Sequence, residues 1–90
     1  MDPSSNGKPA IKVYTTDPCA RCIRAKQLLR SRNLDFEEIN LAKDPVGRRD
    51  LAAFTGQMTF PQIVIDGRPL GGFAELERAD EEGLLAELAA

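Results

Sequence analysis

Ninety residues, 42% hydrophobic and 29% charged, make one domain with a single modest core that needs no disulfide staples. A net charge of -2 supplies no overall basic field for nucleic acid, and no apolar run approaches the roughly 20 residues that span a bilayer. The chain has two cysteines and no histidine, which removes imidazole catalysis, His-based metal sites and a four-ligand zinc site within one chain.

Residues 1–9, MDPSSNGKP, read as a mobile polar tail before a domain over 10–90. They lack the apolar core of a secretory signal, so a cytoplasmic location is expected. IKVYT at 11–15 has strand composition and ends at the turn-prone Asp17-Pro18. Cys22, Ala25, Leu28 and Leu29 then recur at helical spacing, and Ser31-Arg32-Asn33 suits the helix end. Leu34 to Ile39 alternates weakly as a second strand. Asp44-Pro45 opens a second helix reaching about Phe54, with Val46, Leu51 and Phe54 as its apolar side and Gly56 as terminator. Phe60 to Ile65 is the best strand, and Asp66-Gly67 is a strong hairpin signal returning through Arg68-Pro69-Leu70. From Phe73, the residues Leu76, Ala79, Leu84, Leu85 and Leu88 mark a helical segment with a break near Gly83. The order β-α-β-α-β-β-α predicts an α/β fold. Its mixed four-stranded sheet has three or more flanking helices, with a right-handed parallel βαβ unit at its start.

The two cysteines, Cys19 and Cys22, admit three readings: a redox pair, part of a metal site, or two packing thiols. A bridge across two intervening residues closes almost no loop and is a poor staple. Cys19 falls where the first strand meets the first helix. There the unpaired N–H groups and the positive end of the helix dipole favour thiolate over thiol. Arg21, Arg24 and Lys26 add to that field and Asp17 opposes it. Cys22 lies one turn deeper on the same face. An exposed helix start is the wrong place for packing cysteines. The redox reading therefore leads, with Cys19 as the nucleophile that attacks a substrate disulfide and Cys22 as the thiol that resolves the mixed disulfide.

VYTTDPCARC, an acidic second strand before a helix, TFPQIVIDG and GGFAEL follow one another in this order. On these motifs residues 10–90 resemble the glutaredoxin family, whose fold is thioredoxin-like. The resemblance implies that Cys19 and Cys22 are its active-site pair. It matches Thr59-Phe60-Pro61 to the family's TVP motif, with Pro61 cis against the active site and the Phe60 backbone pairing with the cysteine of bound glutathione. It matches Gly71-Gly72 to the family's GG motif, placing Phe73 and Ala74 at the γ-glutamyl carboxylate. Bare glycines admit a ligand and helix-start N–H groups hold a carboxylate, although a turn needing positive φ explains the pair equally well. Thr16 and Arg21, which flank the first cysteine, complete the implied glutathione site.

The chain also departs from the family. Thr16 stands where a lysine is usual, Met58 where Arg or Lys precedes TVP, Ala74 where Ser or Asp is usual, and Ala20-Arg21 replaces Pro-Tyr. The function implied is a monomeric dithiol oxidoreductase reducing protein disulfides and glutathionylated proteins. Its electrons come from glutathione, and it has no tightly bound cofactor and no metal in this role. The missing basic contacts keep a second reading open, a glutaredoxin-like thioredoxin served by a thioredoxin-type reductase. The absent proline at Ala20 keeps a third open: a [2Fe–2S] cluster shared by two chains through Cys19 of each and two glutathione thiols.

Overall fold

The computed structural model describes residues 9–90; the expected tail over 1–9 lies, Pro9 apart, outside the described residues. The first strand, β1 (Ile11–Thr15), turns Ile11, Val13 and Thr15 inward, as its period of two requires. The helix α1 (Ala20–Ser31) follows, with Cys22, Ala25 and Leu29 on its buried face. Arg32 caps its end and Asn33 takes a left-handed φ of 60°, a conformation asparagine tolerates well.

The second strand, β2, is Glu37–Asn40 rather than the 34–39 that weak alternation predicts. Leu34 is held back by α1: its N–H bonds the Leu29 carbonyl at 3.0 Å and its side chain is buried in the core. Pairing with β1 starts only at Glu37, opposite Lys12. The second helix, α2 (Pro45–Thr55), starts at an Asp44 cap and stops at Gly56 as expected. Its expected apolar side is different. Only Leu51 is buried, while Val46 and Phe54 are 54% and 56% exposed. At 3.6 residues per turn Val46 and Leu51 lie about 140° apart around the axis, too far for one line of contact.

The strand β3 is Gln62–Ile65, shorter than the expected 60–65. The Phe60–Pro61 bond is cis, and proline has no N–H to give to a ladder. The turn at Asp66-Gly67 has positive φ at both residues, 50° and 80°, as the Asp-Gly signal requires. It leads into β4 (Arg68–Gly71). The last segment forms α3 (Phe73–Glu81) and α4 (Leu84–Ala89), parted at Gly83. Among the described residues four helices thus flank the sheet.

The sheet order is β2-β1-β3-β4, with β1 and β2 parallel and both remaining pairs antiparallel. One core cluster joins Ile11, Val13 and Ile63 of the sheet to Ala25 and Leu29 of α1, Leu76 and Ala79 of α3, and Leu85 of α4. Each fully buried Leu or Ile there contributes about 1.5–3 kcal/mol. The far ends of α1 and α3 are clamped by a bidentate pair, Arg32 to Asp80 at 2.7 and 2.9 Å. The hydrogen bond from the Arg32 guanidinium, with its charge, outweighs the opposing effect of burial and holds the Asp80 carboxyl below the usual range. Among the described residues no helix is long and apolar enough to cross a membrane.

Candidate active site

Strand direction decides where the chemistry sits. β2 runs parallel to β1, and β4, antiparallel to an antiparallel neighbour, runs the same way. The C-terminal ends of β1, β2 and β4 therefore share one edge of the sheet, and each leads into a helix start: α1, α2 and α3. Three positive dipole ends face that edge. The loop entering β3 through Pro61 arrives there too, because Gln62 pairs with Tyr14 near the end of β1.

Cys19 is the N-cap of α1, with extended φ and ψ of -155° and 99°. Its sulfur accepts a hydrogen bond from the Cys22 N–H at 3.0 Å, taking up one of the helix's unpaired donors. The two cysteines form a disulfide with Cα atoms 5.2 Å apart. Cys22 is buried at 2% exposure, while Cys19 is half-buried; the outer sulfur is the approachable one. Asp17, feared as an opposing charge, is drawn sideways to β2, where Asn40 donates to its carboxylate at 2.8 Å.

A second network braces α1 from below. Glu38 of β2 accepts from Thr15 at 2.8 Å and from Lys26 at 3.0 Å. Partial burial pushes the Glu38 carboxyl up. The hydrogen bonds from Lys26 and Thr15, with the charges of Lys26 and Arg30, outweigh that and hold it below the usual glutamate range.

The structure sorts the remaining expected site residues into three groups. Thr59, Gly71 and Gly72 line one cavity of about 380 Å³ together with Gln57, Gln62 and Glu75. A Cβ on Gly72 would lie 3.4 Å from the Pro61 carbonyl oxygen, so the GG segment abuts the buried cis-proline. Phe60 instead faces a second cavity of about 520 Å³ on the α2 side. Thr16, Arg21, Phe73 and Ala74 line neither cavity. Phe73 and Ala74 open α3 just beyond Gly72, while Thr16 is half-buried and Arg21 exposed beside Cys19.

Two residues outside the expected set shape the site. Gln62, only 4% exposed, donates its amide to the carbonyls of Gln57 and Thr59 at 2.9 and 3.0 Å. It pins the loop before the cis-proline, and among the described residues no buried side-chain polar atom is left unpaired. Glu75 accepts from the Gly72 N–H at 2.7 Å. Gly71 makes room for it: at φ of 129°, a Cβ there would come within 2.6 Å of the Glu75 Cγ. The spacing of a cap and a Glu three residues on carries this signal in sequence, but a glycine cap hides it.

A disulfide at a helix cap, a cis-proline and a Gly-Gly helix start now stand at one sheet edge. The family model for glutaredoxin matches residues 11–70. The chain belongs to the glutaredoxin family. It is 41% identical to the glutaredoxin of Pseudomonas aeruginosa over 80 residues, covering 89% of this chain and 95% of that one. Glutaredoxin 3 of Escherichia coli is 35% identical over 78 residues, covering 87% and 94%. Among solved structures, the buckwheat glutaredoxin–glutathione complex has a TM-score of 0.81 at 25% identity, covering 90% of this chain and 76% of that one. The dithiolic glutaredoxin 2-C-Grx1 of Trypanosoma brucei brucei has a TM-score of 0.79 at 29% identity, covering 100% and 98%. The sheet and its helices are thus the thioredoxin-like fold of glutaredoxins, and the glutaredoxin described here is a thiol–disulfide oxidoreductase. Among the described residues no three His, Cys, Asp or Glu side chains gather as a metal site.

Proposed function

We propose that this glutaredoxin is a dithiol enzyme that reduces protein disulfides and glutathione mixed disulfides with electrons from glutathione. The observation that carries the reading is the Cys19–Cys22 disulfide at the cap of α1, on the sheet edge shared by Pro61 and the Gly71-Gly72 helix start. In the reduced enzyme the Cys19 thiolate attacks one sulfur of the substrate disulfide and expels the other as a thiol. Cys22, having lost its proton, attacks Cys19, releases the second substrate thiol and leaves the protein disulfide. Two glutathione thiols then restore the pair. The first opens the disulfide as a mixed disulfide on Cys19, and the second displaces it as glutathione disulfide. The proposed ligand lies along Phe60 and Pro61, its γ-glutamyl carboxylate at the N–H groups of Phe73 and Ala74. Thr16, Arg21 and Thr59 border it. A relative crystallised with glutathione supports this choice of donor. The proposed setting is a monomer in the cytoplasm, where reduced glutathione is abundant.

Two measurements test the reading. An NMR titration with glutathione should shift the amides of Phe60, Gly72 and Ala74. Silence there, with reduction only by a thioredoxin-type reductase, would transfer the enzyme to that reductase. In kinetics, Cys22→Ser should keep cleavage of glutathione mixed disulfides, which needs one thiol, and lose dithiol reduction of protein disulfides. Turnover surviving Cys19→Ser would overturn the assignment of nucleophile.

A further inference from the structure

The cavity on the α2 side differs in character from the one at Gly71-Gly72. Its walls are Pro45 and Ala52 of α2 with Met58 and Phe60 of the loop before the cis-proline, and its rim carries Arg48 and Arg49. Met58 is 82% exposed and with Pro45, Ala52 and Phe60 forms the apolar surface of this one groove. Arg48 is held by the Leu41 and Ala42 carbonyls at 2.6 and 2.9 Å. Arg49 is exposed and makes no hydrogen bond or ion pair among the described residues. The lining holds two guanidinium groups and no carboxylate. Residues 16–32, which carry the disulfide, add five basic side chains against Asp17 alone, whereas residues 73–90 hold six acidic side chains against Arg78. Of these basic side chains Lys26 and Arg32 are already paired, with Glu38 and Asp80.

We infer that this groove is the docking site for the polypeptide around a substrate disulfide, taking an apolar side chain beside the reacting cysteine and a carboxylate just beyond it. Continuity with the disulfide fixes the occupant's class. Phe60 lines the groove and Pro61 follows it at the edge where Cys19 sits, so a chain whose sulfur reaches Cys19 passes the groove mouth. Glutathione has no apolar side chain to cover Met58; a protein segment does. Charge selects within that class, since an acidic neighbour meets Arg49 and a basic one is repelled. The step served is the dithiol exchange above. The Cys19–sulfur bond forms as the substrate S–S bond breaks, and the two protons given up by Cys19 and Cys22 end on the two substrate thiols.

The test uses the full chain, reduced with dithiothreitol and freed of it. Single-cysteine peptides joined as symmetrical disulfides carry Leu or Ser beside the cysteine and Glu or Lys at the following position. Oxidation of the protein is followed by acid quench and mass spectrometry. Wild type should prefer Leu over Ser by about tenfold, the scale of one apolar group in a pocket. Met58→Ser should bring that ratio near one, and Met58→Leu should restore it. Glu should be preferred over Lys by about fivefold at low salt, with Arg49→Glu inverting the order and high salt flattening it. Ratios within one variant cancel any loss of folded protein, and every variant meets the same leaving groups. A Leu-to-Ser ratio near one in wild type, or an unchanged one in Met58→Ser, overturns the apolar half. A Glu-to-Lys order that survives Arg49→Glu overturns the charged half. No glutathione is present, so the outcome is independent of which reductant the enzyme uses.

Discussion

The starts of α1 and α2 are built alike and serve opposite ends. In each, the N-cap side chain accepts a hydrogen bond from the backbone N–H three residues on: Cys22 to the Cys19 sulfur at 3.0 Å, and Gly47 to the Asp44 carboxylate at 2.8 Å. At α2 the cap is a carboxylate and the donor residue is a glycine. A Cβ on Gly47 would lie 2.5 Å from the Asp44 Oδ2, so the bare backbone lets the cap close. At α1 the cap is sulfur, a weak acceptor as thiol or disulfide, and the donor residue carries the second sulfur. The helix end that Asp44 satisfies outright is left needy at Cys19, and the thiolate is the form that satisfies it best. One cap stabilises; the other stores reactivity.

The comparison breaks first, and with the largest effect, at Cys19→Ser. Serine is a better cap than a thiol, so against the reduced wild type its stability should lie within about 0.5 kcal/mol or rise slightly. Turnover should fall by at least about 10³-fold, as for other lost nucleophiles. Thermal melts and a disulfide-reduction assay on the same samples check both arms. A fold that fails with the activity would mean that Cys19 is held for structure.

Asp44→Ala should show the converse. Losing the carboxylate cap costs about 1 kcal/mol, which lowers the melting temperature of a domain this size by about 4–8 °C. Disulfide reduction per folded molecule should not change. A rate that falls further than the folded fraction would show that the α2 start acts on substrate and would erase the contrast.

The sequence disclosed most of this site because its signals are local. Cys19 at a strand–helix junction, Asp44-Pro45 at a helix start and Asp66-Gly67 at a hairpin each declare their geometry within a few residues. What stayed hidden depends on tertiary partners. The start of β2 differs from the alternation because Leu34 answers to α1 and the core rather than to β1. Val46 and Phe54 share an apolar pattern with Leu51 yet stay exposed, because a helical pattern shows that a face exists, not how far the helix rolls onto the sheet. Nothing local to Gln62 announces the Gln57 and Thr59 carbonyls it ties down; only the fold brings them to its amide. Glu38 likewise finds Thr15 and Lys26 only once β2 lies beside β1.

Glu38 sharpens the contrast in another way, since it braces the reactive helix through a charge, whereas α2 is braced by Arg48 on backbone carbonyls. Glu38→Gln keeps an acceptor for Thr15 and removes only the charge facing Lys26. The Glu38 side chain is 33% exposed, so solvent screens the pair and the loss should stay below about 1 kcal/mol. Its pH dependence has a definite sign. The folded carboxyl titrates below its ordinary value of 4.5, so the unfolded chain takes up the proton first as acid is added. The stabilisation is then complete above about 4.5 and disappears as pH falls through the lower folded value. Melting temperatures of wild type and Glu38→Gln should therefore differ at neutral pH and converge in acid. A gap that persists at low pH would assign the effect to the shape of the glutamine, and the brace on α1 would not be electrostatic.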